Sequence, residues 1–316
     1  MTTITESPDS SQNGEITLAN ANLNLFVSPW GASLRGLVAD GKDEIVTRYA
    51  GADNKVGGEG DVLIPFPGRI KAGIYSFQGT EYHLNKNDSE GPNAIHGFLR
   101  KREWTVVEQS GQTVTFAVDL AADEAPGYPF PLHTEVSYEL EPSGFVVRYE
   151  ITNTGSIDAP VAAGFHPYFS LGTALIDDCM LTVPFQSTLV YDSMIPTGEV
   201  APITELQYDF TRERLIGSTK FNTCYLDPIR DENGNVVITL RTSDAYKSLS
   251  VVLGPEINYV VLYSGDVLPD THRRKALAIE PMSCGSDAFN HREWGLATVK
   301  PGESLNGKWS VTYKTT

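Results

Sequence analysis

Cysteine is scarce in this chain, and so are long apolar runs, helical patterns and closely spaced metal-binding motifs. The three cysteines, Cys179, Cys224 and Cys284, are odd in number, far apart and without CxxC spacing. That argues against a disulfide framework or a cysteine zinc site and fits a reducing compartment; each reads as a small core hydrophobe. No apolar stretch reaches the ~18 residues that a membrane span needs. Residues 1–13 are polar, rich in Ser and Thr, and lack the basic start and apolar run of a secretory signal. These absences predict a soluble, cytoplasmic protein with a flexible N-terminal segment over 1–13 and a single folded domain over 14–316.

Positive charge is also in short supply. Against 40 Asp and Glu stand 24 Lys and Arg, a formal net charge of −16. Such a field repels nucleic acid and anionic membranes, so neutral small molecules are the expected partners. The sequence has no P-loop, no G-x-S-x-G and no H-E-x-x-H. Ser143-Gly144 sits in a hairpin turn, the wrong context for a nucleophile elbow. The histidines are mostly far apart, so no zinc site is expected. Helical periodicity is confined to Thr211–Ile216, which reads as one or two turns.

What the chain does have is strand pattern from end to end. Trp104–Gln109 and Gln112–Val118 alternate around Ser110-Gly111, and Thr134–Leu140 and Phe145–Ile151 alternate around Glu141-Pro-Ser-Gly144. Val236–Leu240, Leu249–Leu253, Tyr259–Tyr263 and Trp309–Tyr313 are β-branched and aromatic runs of strand length. The pattern predicts an all-β fold, a large antiparallel two-sheet β-sandwich. Five long turn-rich connections interrupt it: 51–69, 85–97, 164–172, 193–212 and 281–293. Loops on a rigid sandwich are where binding and catalysis concentrate.

Three polar residues stand out in or beside those loops. His166 lies among aromatics in Gly164-Phe-His-Pro-Tyr-Phe169, where a hydrogen-bonded core histidine is the structural alternative to a catalytic one. His96 precedes Gly97 in Asn93-Ala-Ile-His-Gly97; a loop histidine bonded to backbone would look the same. Glu280 follows the apolar run Ala276–Ile279, and a carboxylate at the end of a buried strand is costly unless paired or functional. Its structural partner would be Arg69, in Pro65-Phe-Pro-Gly-Arg-Ile70.

Taken in order, these motifs resemble the aldose 1-epimerase (galactose mutarotase-like) family. The matching pieces are Pro67–Ile70, Asn93–Gly97, His166–Phe169, Ile195-Pro-Thr-Gly-Glu199, Ile279-Glu-Pro-Met282, Asp287-Ala-Phe-Asn290 and Lys300-Pro-Gly-Glu303. The resemblance implies a β-supersandwich, no metal or cofactor, and interconversion of sugar anomers through the open-chain aldehyde. It implies Glu280 as general base and His166 as general acid, with Arg69 and His96 holding the sugar. Tyr168 and neighbouring aromatics are expected to pack on the sugar's apolar face or in the core. Two positions depart from the family pattern: Gly68 where an Asn is usual, and Asn222 where a substrate-binding Asp is usual. An amide still bonds hydroxyls but cannot give charge-assisted acceptance.

The chemistry needs an acid and a base flanking one ring, because the anomeric hydroxyl loses a proton as the ring oxygen gains one. His166 needs a neighbouring carboxylate to raise its proton affinity. Two alternatives remain open: a non-catalytic sugar-binding or sensing protein, and a mutarotase of a phosphorylated sugar using Arg69 with Arg100, Lys101 or Arg102. A monomer and a homodimer are both compatible with the sequence.

Overall fold

Strands run through the sequence because apolar residues recur at every second position, and the structure pairs those runs antiparallel throughout. A computed structural model describes residues 14–48 and 55–316. The segment 1–13, expected to be flexible, lies outside them, as do residues 49–54. The hairpin Leu132–Glu141 and Gly144–Asn153 is the clearest case: ten residue pairs face each other, and the first strand alternates buried and half-buried side chains along its length. Gly144 closes the turn because a Cβ there would meet the Val311 carbonyl oxygen at 1.8 Å.

Two large sheets result. One, of nine strands, runs in the order Thr105–Gln109, Thr113–Leu120, Leu132–Glu141, Gly144–Asn153, Ser304–Thr315, Lys247–Leu253, Val236–Thr242, Cys179–Thr182, Arg214–Leu215. The other has twelve strands and runs Ile16–Ala19, Leu23–Ser28, Ser33–Ala39, Asp43–Val46, Tyr168–Phe169, Leu277–Met282, Tyr259–Tyr263, Asn222–Pro228, Phe185–Asp192, Ile195–Pro202. Val62–Leu63 and Gly164–Phe165 attach to it beside Met282. One apolar cluster draws on both sheets, with Val136, Phe145 and Trp309 from the first and Leu37, Val260, Leu262 and Ile279 from the second. The architecture is an all-β sandwich, and among the described residues there is no α-helix.

The predicted helix at Thr211–Ile216 does not form. Arg214–Leu215 instead adds a two-residue strand against Met180 and Leu181, and the Arg214 guanidinium lies over the Phe210 ring at 4.2 Å. Six residues are too few for a helix to outweigh its nucleation cost when a sheet edge offers hydrogen bonds.

The twelve-stranded sheet positions the site through its two faces. Val260, Leu262, Leu277 and Ile279 point into the main core, so the alternate residues Val261, Tyr263, Ala278 and Glu280 must face the other way. Register then aligns neighbours on that second face: Glu280 opposite Val261, Val261 opposite Cys224, and Tyr263 opposite Asn222. A one-residue slip would bury Glu280 in the core, so the apolar alternation itself fixes the carboxylate's side of the sheet.

Candidate active site

Glu280 and His166 meet because of strand register. Gly164 pairs with Met282 and Tyr168 pairs with Ala278, so the residues midway between, His166 and Glu280, stand opposite each other. Their Nε2 and Oε1 atoms are 3.4 Å apart, with both side chains almost wholly buried. They form the floor of an open cleft of about 650 Å³.

His166 is held on several sides. Its N–H donates to the Asp61 carbonyl at 3.0 Å, and its own carbonyl accepts from Gly60 N–H at 2.9 Å. The Tyr168 ring stacks on it at 5.2 Å, and the His96 ring meets it edge-on at 5.6 Å. Nδ1 is buried and makes no hydrogen bond to the described residues. Burial holds the imidazole down to about 4, against a smaller opposing pull from Asp61. This corrects the expectation that a neighbouring carboxylate would raise it: desolvation outweighs the charge. Burial also pushes the Glu280 carboxyl well above its usual range, with Arg69 opposing.

Arg69 opens the short strand Arg69–Ile70, and His96 directly follows its partner strand Ala94–Ile95. His96 takes a left-handed backbone (φ 62°), as does Gly97, where a Cβ would lie 2.1 Å from the Ile64 carbonyl oxygen. The chain can therefore pass only as glycine, and it delivers His96 to the cleft. Gly68 N–H donates to His96 Nδ1 at 3.2 Å, which leaves the ring's proton on Nε2 as a donor for a ligand. Burial keeps this imidazole well below its ordinary value, hence neutral. Arg69 makes no ion pair with Glu280. Its Nε donates to Asp88 at 2.8 Å and its Nη2 to Glu90 at 2.6 Å.

Five of the six residues singled out by sequence line the one cleft: His166, Glu280, Arg69, His96 and Asn222. Asn222 sits at its exposed rim, with Nδ2 3.5 Å from Met194 Sδ. Tyr168 does not line it. The ring is 3% exposed behind His166, and its hydroxyl donates to the Gly57 carbonyl at 2.9 Å, so it backs the imidazole and cannot cover a sugar face. At Gly68, a Cβ would lie 2.8 Å from Ser286 Oγ, so Ser286 fills the wall where a larger side chain would stand.

Sequence reasoning missed Asp88 and Glu90, Asp61 with Lys55 behind His166, and the lip Asp266–Leu268. Asp88 carried a faint signal as one of two acids in a turn-rich loop a few residues before His96. Asp61 carried none, because its partners Lys55 and Arg100 are assembled only by the fold. Among the described residues, no group of three or more His, Cys, Asp or Glu side chains is arranged to hold a metal ion, and no helix is long and apolar enough to cross a membrane.

Comparison with known proteins gives a consistent answer. The family model for aldose 1-epimerase matches residues 14–312. The chain is 30% identical to the uncharacterised protein YihR of Escherichia coli over 87% of this chain and 85% of that one. It is 26% identical to a maltose epimerase of Levilactobacillus brevis over 91% and 90%, and 28% identical to pig galactose mutarotase over 75% and 73%. Among solved structures, a GalM/aldose epimerase homologue from C. elegans superposes with a TM-score of 0.86 at 21% identity, covering 96% of this chain and 99% of that one. That likeness carries the fold.

Proposed function

The chain belongs to the aldose 1-epimerase family, and from that premise we propose that it is a mutarotase of a neutral aldose, with Glu280 and His166 as its proton carriers. The observation that carries the reading is the buried pair at the cleft floor, 3.4 Å apart. A ring seated over both residues puts its anomeric hydroxyl and ring oxygen within reach of one side chain each, which is the geometry acid–base ring opening needs.

The pair works with one proton between its two members. Burial favours the uncharged arrangement, with the proton on Glu280 and a neutral imidazole. A bound sugar's hydroxyls, with Arg69 nearby, favour the carboxylate and move that proton to His166. Ring opening then takes the proton of the anomeric hydroxyl to Glu280 while His166 Nε2 delivers its own to the ring oxygen. The C1–O5 bond breaks as the C1=O1 double bond forms. Rotation about C1–C2 and the reverse transfers give the other anomer. No group is consumed, and each transfer contributes roughly 10²–10⁴-fold. Arg69, locked by Asp88 and Glu90, and His96 Nε2–H orient the hydroxyls. Asn222 at the rim both donates and accepts.

The cleft's charge argues for a neutral substrate. Asp88, Glu90 and Asp266 line it, while Arg69 and Arg100 are already committed to carboxylates. A phosphorylated sugar would enter against that field with only Lys220 unpaired among the described residues at the cleft. The volume exceeds what a single ring fills, and relatives named galactose mutarotase and maltose epimerase support a free hexose or the reducing end of a short saccharide.

The test is anomer exchange by NMR on a panel of aldoses, reducing disaccharides and a hexose 6-phosphate. Acceleration above the spontaneous rate on a neutral sugar supports the proposal. Tight binding with no acceleration on any sugar would favour a sugar-binding protein instead.

A further inference from the structure

Asp61 is 1% exposed, far below what an ordinary carboxylate tolerates, and it lies behind the imidazole rather than in the cleft. Two cations clamp it. Lys55 Nζ bonds Oδ1, and Arg100 Nη1 bonds Oδ2 at 2.9 Å. Arg100 itself lines the cleft, from the turn Leu99–Lys101. The backbone of the same segment grips His166 twice, through the Asp61 carbonyl and the Gly60 N–H. Gly58 permits the close fit: a Cβ there would lie 3.3 Å from His166 Cδ2, 3.5 Å from Nε2 and 3.7 Å from Asp61 Oδ2. The imidazole edge and the buried carboxylate thus both border Gly58.

We propose that Asp61, clamped by Arg100 and Lys55, is a positioning residue that balances the positive charge behind the His166 ring and so sets where the ring's proton sits. The inference takes its catalytic meaning from the proton-carrier role proposed for His166. A cluster built for stability alone would be better replaced by apolar packing, because burying charges costs several kcal/mol per ion. Here two cations and one anion leave a net single positive charge beside a group that must gain and lose a proton. Asp61 favours the imidazolium, whereas Arg100 and Lys55 disfavour it. The other groups facing the ring are Glu280 in front, His96 at its edge and Tyr168 on its face. Removing the carboxylate or one cation therefore moves the His166 proton in opposite directions, a signature that simple loss of packing would not produce.

The test follows the His166 imidazole directly, by NMR titration of histidine-labelled protein, alongside anomer exchange. In Asp61→Asn the His166 midpoint moves down by about one pH unit, since a single nearby charge shifts a pKa by ~1 or more. In Arg100→Met it moves up by a similar amount, and the double variant returns toward the wild-type midpoint. Asp61→Asn also lowers kcat by tenfold or more with KM little changed. An unmoved His166 midpoint in folded Asp61→Asn, or in Arg100→Met if the former does not fold, overturns the proposal. Opposite shifts in a protein that accelerates no anomer exchange would uphold the charge balance and refute the mutarotase reading.

Discussion

Glu280 and His166 face each other at 3.4 Å because two strand pairs, Gly164 with Met282 and Tyr168 with Ala278, flank them symmetrically. The pair is a product of sheet register, so its spacing is as rigid as the ladder around it. That rigidity suits proton transfer, in which an ångström of misplacement is expensive.

The pH dependence follows from the two opposed displacements. On the proposed mechanism, activity requires one proton on the pair. Below about 4 the buried imidazole accepts a second proton while Glu280 keeps its own, and the rate falls. At high pH the pair loses its last proton, and the governing group is the raised carboxyl of Glu280. A plot of log kcat/KM against pH should therefore be a broad bell whose acid limb lies well below the ordinary histidine value. An acid limb near 6.5 would contradict the desolvated imidazole.

Stability should improve when the Glu280 carboxyl is removed. Glu280's carboxyl is raised on folding, so between its unfolded value near 4.5 and its folded value the native state binds more protons, and stability is lost as pH rises through that window. Glu280→Gln has no such loss. Its Tm should match the wild type near pH 4 and exceed it at pH 8. Calorimetry at both pH values checks this.

The left-handed turn that carries His96 allows little substitution. Gly97→Ala places a Cβ 2.1 Å from the Ile64 carbonyl oxygen in a backbone with φ of 64°. We expect a loss of about 2 kcal/mol or more in denaturant unfolding, and a raised KM as His96 shifts. Gly111→Ala, in an exposed turn with open space around it, should change neither.

At the rim, Asn222→Asp tests the departure from the family pattern. Asn222's amide N–H meets only the Met194 sulfur at 3.5 Å, a weak acceptor, so little is lost by removing it. A charged acceptor strengthens bonds to sugar hydroxyls, and KM should fall a few-fold with kcat nearly unchanged. Steady-state kinetics on the best aldose reads both.

The fold is legible where strands alternate, as in Leu132–Glu141, which announces both its structure and its buried face; the unbroken apolar run Tyr259–Tyr263 announces a strand but not its face. Glu280 was legible because a carboxylate follows four apolar residues in a strand. Sequence leaves Tyr168 between two roles because an aromatic two residues after His166 can cover a ligand or pack in the core, and only the contacts of the fold decide for the second. The 211–216 segment was misread because a short run near Phe210 looks amphipathic until the Met180–Leu181 edge claims it. The partners of Arg69 and the clamp on Asp61 were invisible, since they join loops and turns whose approach no local pattern encodes. The direction of the His166 displacement was missed for a related reason: sequence reveals a neighbouring charge more readily than the depth of burial that outweighs it.

The central claim is that Glu280 and His166 exchange protons with a sugar ring, and single-site kinetics test it most directly. Anomer exchange on the best aldose should be measured for the wild type, Glu280→Gln, His166→Asn, His96→Asn and Arg69→Lys. The first two variants remove a proton carrier while keeping a hydrogen-bonding side chain, so each should lower kcat by about 10² or more. The last two disturb orientation and should raise KM as well as lower kcat. Circular dichroism and melting should show all four folded. Wild-type kcat in Glu280→Gln or in His166→Asn would contradict the account.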